Sequence, residues 1–188
     1  ITTRSLIPEN KIYAAEILAR DDMVLCGIDI LKAVFHHLDS KVAFSEIIYG
    51  DGDYLPSGSK IAQVKGKGVS LLEGERVTLN ILQRLCGIAS LTRKYVERSG
   101  SVEIMDTRKT TPGLRVFEKY AVHCGGGINH RFGLYDAILI KDNHIKAVGG
   151  IIEAVKMVKN CNSTGPVEVE TTNIAEVQDA IIAKSDII

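Results

Sequence analysis

The chain of 188 residues is 45% hydrophobic and 24% charged, with a mean hydropathy of +0.09, which excludes disordered and fibrous classes. Its 23 Lys+Arg balance 23 Asp+Glu, which gives no support to a bulk nucleic-acid or polyanion binder, so any anion site must be a local cluster. No apolar run approaches the ~20 residues of a membrane helix, and Ile1-Thr2-Thr3-Arg4 lacks the apolar core of a secretory signal.

In chain order, Ile12–Arg20, Val42–Ile48 and Ile61–Val64 are predicted strands. Gly50-Asp51-Gly52-Asp53 and Pro56-Ser57-Gly58 supply turns between the last two. Ile28–Leu38 is predicted as an amphipathic helix. A longer helix is expected from about Glu75 to Arg98, with Val77, Ile81, Leu85, Ile88, Thr92 and Tyr95 on one stripe. Gly100 ends it. From Ser101 the rhythm changes to alternating strand and helix. Val102–Met105 is read as a strand and a helix is expected from Pro112, with Thr111 as its cap. Ala137–Ile140 is the next strand, then a helix through Ile151–Val158. Pro166–Glu170 is read as a strand, followed by a helix presenting Ile174, Val177 and Ile181 on one side. Asp186-Ile187-Ile188 opens a fourth strand. Repeated βα units mean a parallel sheet, open or closed into a barrel. Three and a half units do not close one, so the chain is expected to be part of a longer protein.

Cys26, Cys86, Cys124 and Cys161 have no C-x-x-C spacing and read as reduced, buried thiols of a cytoplasmic protein. The sequon Asn162-Ser163-Thr164 is discounted without a signal peptide. The histidines lack metal-ligand spacing, Trp is absent, and aromatic residues are only 5%, against a base-stacking RNA module. No P-loop or nucleophile elbow is present.

Chemistry is expected where strands end, because those loops open on one face. The predicted strands end in Asp106-Thr107-Arg108-Lys109, Lys141-Asp142-Asn143-His144 and Glu168-Val169-Glu170. Gly125-Gly126-Gly127 and His130-Arg131 precede the second. Arg108, Lys109, Arg131 and Lys141, with His130 nearby, form a cluster that repels itself unless it binds an anion of several charges. Three successive glycines point to close approach of a ligand or backbone. The residues alone reach a polyanionic small-molecule site on a βα barrel.

The strings Thr107-Arg108-Lys109-Thr110-Thr111-Pro112-Gly113-Leu114-Arg115, Glu118-Lys119-Tyr120-Ala121-Val122, Gly125-Gly126-Gly127-Ile128-Asn129-His130-Arg131 and Leu139-Ile140-Lys141-Asp142-Asn143-His144 resemble the quinolinate phosphoribosyltransferase (decarboxylating nicotinate-nucleotide pyrophosphorylase) family. Glu75-Arg76, Leu79-Asn80, Gly87-Ile88-Ala89, Glu168-Val169-Glu170 and Ser185-Asp186-Ile187-Ile188 are similar to it too. The resemblance implies an N-terminal α/β sandwich domain over residues 1–100 and the first part of an α/β barrel over 101–188. It implies conversion of quinolinate and phosphoribosyl pyrophosphate to nicotinate mononucleotide, pyrophosphate and carbon dioxide, with Mg2+ held mainly through phosphoribosyl pyrophosphate. Carried over by motif, Arg76, Thr107, Arg108, Lys109, His130, Arg131 and Lys141 line the substrate site. Glu170 faces ribose and hydrated magnesium, and Lys109, Lys141 and Glu170 are the expected catalytic groups. A homodimer or higher homo-oligomer with shared sites is implied, in which Arg76 reaches the partner chain. Cys86 stands where relatives commonly have serine. Two alternatives remain: a Schiff-base barrel lyase using Lys141, and a barrel homologue acting on, or only binding, another anionic ligand.

Overall fold

Burial against a shared helix, more than strand propensity, organises the first half of the chain. The computed structural model describes residues 1–161 and 165–188, so the sequon at 162–164 lies outside the described residues. After a short helix α1 (Thr2–Leu6), strand β1 (Ile12–Leu18) pairs antiparallel with β5 (Lys60–Lys67), and β3 (Ala43–Ser45) pairs on the other edge of β5. The strand order is β1-β5-β3. A separate antiparallel pair joins β2 (Met23–Val24) to β4 (Tyr54–Leu55). Helix α2 (Ile28–Leu38) buries Ile28, Leu31 and Phe35. Its N-terminus is satisfied from a distance, with the N–H groups of Gly27 and Ile28 donating to Asp51 Oδ1 at 2.9 and 3.1 Å.

Helix α3 (Gly68–Ser99) runs for 32 residues and stops at Gly100, whose φ is 63°. It contributes Leu71, Leu82 and Cys86 to a core with Leu25, Leu31, Phe35, Leu55, Ile61 and Val64. Leu85 and Ala89, one turn along, enter a second cluster with Val24, Cys26, Ala121 and Cys124. Each fully buried Leu or Ile contributes about 1.5–3 kcal/mol. Helix α4 (Arg115–Cys124) packs on α3.

The chain divides into two compact units, Ile1–His130 and Arg131–Ile188. The change of rhythm at Ser101 therefore falls inside the first unit. In the second unit, β6 (Ile138–Ile140) pairs parallel with β7 (Val167–Val169). Helices α5 (Asp142–Val148), α6 (Ile151–Asn160) and α7 (Ile174–Ile182) follow the βα rhythm. Its core is Ile140, Ile151, Ala154, Val155, Val167, Val169 and Ala180. The fold is mixed α/β, and the sheets are not closed.

Several expectations need correction. Helix α3 begins at Gly68 rather than Glu75, because the inward positions Leu71, Gly74 and Thr78 continue the buried face through glycines that read as breakers. Helix α4 begins at Arg115, not Pro112. Gly113 takes a φ of 78°, outside the right-handed helical region, so it cannot be an interior residue of the helix. Val102–Met105 and Asp186–Ile188 form only single parallel bridges, Met105 to Ile128 and Ile187 to Glu168. Val42–Ile48 shrinks to β3. Cys161 is exposed, whereas Cys26, Cys86 and Cys124 are buried. Among the described residues, no helix is long and apolar enough to cross a membrane.

Candidate active site

The bridge between Met105 and Ile128 lays two loops side by side. Ile128 N–H donates to Ile104 O at 2.8 Å and Asp106 N–H to Ile128 O at 3.2 Å. Beneath them, Lys119 rises from α4 and donates through Nζ to Asp106 Oδ1 at 2.5 Å and to His130 O at 2.8 Å. The pair is buried, with side-chain exposures of 4% and 7%. Asp106 also accepts the His130 N–H at 2.8 Å. The Asn129 amide, in the orientation this network demands, donates to Asp106 Oδ2 at 2.7 Å and Lys119 O at 2.8 Å. Every strong partner of the buried charges is thus in place.

The cationic loop itself is held from both sides. Arg115 Nε donates to Thr110 Oγ1 at 3.1 Å, and its Nη2 to Arg108 O at 3.3 Å. Thr107 Oγ1 accepts the Lys109 N–H at 3.0 Å. Glu118 accepts the Thr111 N–H at 3.0 Å and Arg84 Nε at 2.7 Å, while Arg84 Nη2 reaches both Glu118 and Thr111 Oγ1. Burial pushes the Glu118 carboxyl pKa up, but the hydrogen bonds from Thr111 and Arg84 outweigh it and hold the net value below the usual glutamate range. With the backbone fixed, Arg108 is left half-buried and Lys109 exposed. Arg108 Nε is buried without a hydrogen-bond partner.

The glycine triplet serves the protein's own backbone. A Cβ on Gly125 would lie 2.5 Å from Ala89 O, and one on Gly127 would lie 2.8 Å from Val122 Cγ1. Gly126 takes a φ of 91°. The triplet thereby seats the segment against α3, and Arg93 secures it by donating to Gly125 O at 3.0 Å.

In the second unit, β6 and β7 end together, with Ile140 opposite Val169. Their next residues therefore meet, and Lys141 Nζ lies 3.2 Å from Glu170 Oε2. Glu170 N–H donates to Ile140 O at 2.9 Å. His144 Nδ1 accepts the Lys141 N–H at 2.9 Å, fixing the start of α5. Arg131 donates through Nη1 to Ala137 O at 3.3 Å, and its Nε, like that of Arg108, is buried without a hydrogen-bond partner.

The structure therefore gathers Thr107, Arg108, Lys109 and His130 on adjoining loops of the first unit, and pairs Lys141 with Glu170 in the second. Arg76 stands apart, exposed on α3, and among the described residues no hydrogen bond or ion pair links it to the others. Asp106, Lys119, Asn129, Glu118, Arg84 and Arg115 have roles that sequence reasoning did not assign. The available signal was Asp106 itself, the single carboxylate preceding an otherwise cationic loop.

A mixed α/β chain whose strand ends carry arginine, lysine and one facing carboxylate has groups of the kind that pair with anionic small molecules. Residues 1–86 match the family described as quinolinate phosphoribosyl transferase, N-terminal domain, and residues 88–188 its C-terminal domain. The chain belongs to the quinolinate phosphoribosyl transferase family. A probable nicotinate-nucleotide pyrophosphorylase (carboxylating) of Bacillus subtilis (strain 168) is 46% identical over 191 residues, taking in 100% of this chain and 65% of that protein. A chloroplastic nicotinate-nucleotide pyrophosphorylase (carboxylating) of Arabidopsis thaliana is 41% identical over 96% of this chain and 53% of its own length. The solved nicotinate-nucleotide pyrophosphorylase from Francisella tularensis superposes with a TM-score of 0.93 at 42% identity, covering 99% of this chain and 66% of that one. The chain thus spans between about half and two thirds of the length of these relatives.

Proposed function

We propose that this chain carries the quinolinate-facing part of a quinolinate phosphoribosyltransferase, which joins quinolinate to phosphoribosyl pyrophosphate and releases nicotinate mononucleotide, pyrophosphate and carbon dioxide. The observation that carries this reading is that Arg108 Nε in the first unit and Arg131 Nε in the second are each buried without a hydrogen-bond partner. A dicarboxylate and a polyphosphate are the ligands such groups favour. In this reading the sandwich domain spans 1–100 and the α/β barrel begins at 101, with β6 and β7 among its strands. The protein is a cytoplasmic homodimer with shared sites.

Arg76, Thr107, Arg108, Lys109, Arg131 and Lys141 hold the carboxylates and phosphates, with His130 beside Arg131. Charged hydrogen bonds of this kind contribute about 1.5–3 kcal/mol each, so the cluster positions and neutralises. Pyrophosphate leaves the anomeric carbon as the quinolinate nitrogen attacks, and Glu170 stabilises the positive charge developing on the ribose. Loss of carbon dioxide from the 2-position follows, because a quaternised ring nitrogen stabilises the carbanion left behind.

Glu170 is a half-exposed carboxylate, a donor that suits hydrated Mg2+, which keeps most of its waters and binds through one or two carboxylates and substrate phosphates. Magnesium would neutralise the leaving pyrophosphate. The Schiff-base reading of Lys141 loses ground to its Glu170 partner, since a nucleophilic lysine wants cationic or apolar neighbours.

The test is pyrophosphate release by the intact protein, dependent on quinolinate. Lys141→Ala should weaken quinolinate binding and turnover by about 10-fold or more while leaving far-UV circular dichroism unchanged. Unaltered quinolinate affinity in that folded variant removes Lys141 from the site.

A further inference from the structure

We propose that Cys26, Asp51 and Cys124 form a binding site for one soft divalent cation of the zinc class, separate from the cationic loops. Two thiols and a carboxylate converge in the first unit, with Cys26 Sγ, an Asp51 carboxylate oxygen and Cys124 Sγ all within 4.8 Å of one another. They come from three separate segments: the link between β2 and α2, the turn between β3 and β4, and the last turn of α4. A tetrahedral zinc-class ion, with bonds of about 2.3 Å to sulfur and about 2.0–2.2 Å to oxygen, spaces its ligands roughly 3.5–3.8 Å apart. The cluster therefore needs to contract by only about 1 Å at its widest.

The donor accounting leaves room for the ion. An ionised carboxylate offers about four lone-pair positions. Asp51 Oδ1 accepts from Gly27 and Ile28, and Oδ2 accepts the Tyr120 hydroxyl at 2.8 Å, so one position on Oδ2 remains. Neither Cys26 nor Cys124 is in a disulfide. Cys86 is committed elsewhere, its Sγ accepting the Cys26 N–H at 3.3 Å and donating to Cys26 O at 3.5 Å.

Electrostatics favour a cation there. Burial raises the Cys26 thiol pKa, and Cys124, Asp51 and Cys86 raise it further. A soft cation resolves the crowding by taking both sulfurs as thiolates and releasing their two protons to solvent, with no change of oxidation state. Cys26 is fully buried and Tyr120 is 42% exposed, so the ion and its fourth ligand, a water, would enter from the Tyr120 side.

Co2+ is the probe, added to the intact reduced protein under anaerobic conditions. One equivalent should produce the intense thiolate-to-cobalt charge-transfer absorption with release of two protons, and one equivalent of Zn2+ should abolish the band. Cys26→Ser and Cys124→Ser should each weaken Co2+ binding more than about 100-fold, beyond the loss typical of groups that merely support a site. Cys161→Ser should bind as the parent does. A folded wild-type protein with no thiolate–cobalt band overturns the proposal, even if the serine variants fail to fold. So does a band that survives Cys124→Ser but vanishes in Cys161→Ser, or a mass spectrum of a Cys26–Cys124 disulfide without any cobalt band.

Discussion

Replacing Lys119 by methionine tests whether the clamp beneath the two loops is what holds them. The side chain keeps its length and loses its charge, stranding the Asp106 carboxylate at 7% exposure. Removing one partner of a buried ion pair costs about 3–5 kcal/mol. Asp106 retains the His130 N–H and the Asn129 amide, so the lower end applies, about 3 kcal/mol. The His130 carbonyl also loses its lysine donor. With a urea slope of about 1–3 kcal/mol/M, the unfolding midpoint should fall by roughly 1–3 M. The chain has no Trp and 6 Tyr, so far-UV circular dichroism and tyrosine emission are the readouts, and their coincidence checks cooperativity. Asp106→Asn added to Lys119→Met removes the stranded charge and should recover more than about 1 kcal/mol. A single variant within about 1 kcal/mol of wild type, or a double variant no better than the single, would refute the idea of a buried charged clamp.

Glu118→Gln should destabilise the first unit at neutral pH, since its carboxylate holds both Thr111 and Arg84. A carboxyl whose folded-state pKa is depressed contributes stability that is complete above its unfolded value, about 4.3, and lost as pH falls through the folded value. The gap between wild type and variant should therefore close below about pH 4.3 in a urea series, and a constant gap would count against the charge being responsible. Gly125→Ala should cost about 1–3 kcal/mol, because its methyl would meet a backbone carbonyl at 2.5 Å; an unchanged melting temperature would contradict that packing. Arg76→Ala and Lys141→Ala proteins, each impaired alone and mixed under subunit exchange, should form about a quarter of wild-type sites if two-fold related chains share them. No regain, with exchange confirmed by mass spectrometry, would assign Arg76 to its own chain.

What could be read from residues alone followed from periodicity and from strand ends. The α2 boundaries and the inward Leu85 of α3 were legible because apolar side chains recur at helical spacing. Lys141 and Glu170 were legible as neighbours because parallel strands in register deliver their following residues to one edge. The Asp106–Lys119 pair was not, because a buried ion pair and two solvated charges have the same letters. Local sequence also misplaced the start of α4. Thr111-Pro112 has the residue types of a helix start, but the Gly113 turn and the Thr111 bond to Glu118 place that start at Arg115. The residue strings identified the family, whereas the role that resemblance implies for Arg76 leaves no local sign on its exposed helix face.

Helix α3 is a party wall between two hydrophobic rooms. Cys86 faces one cluster and its neighbour Leu85 the other, so neither room can open without disturbing a rod that also supports the opposite one. Melting in the first unit should then be shared across α2, α4 and the sheet rather than begin at any one of them, because each leans on the same 32-residue element. Amide protons at Leu82, Leu85 and Ala89 would exchange only through opening of the whole unit, whereas those of α5, which buries no residue, would exchange through local fraying. The loops that gather charge above α4 thus inherit their rigidity from the helix on which α4 packs.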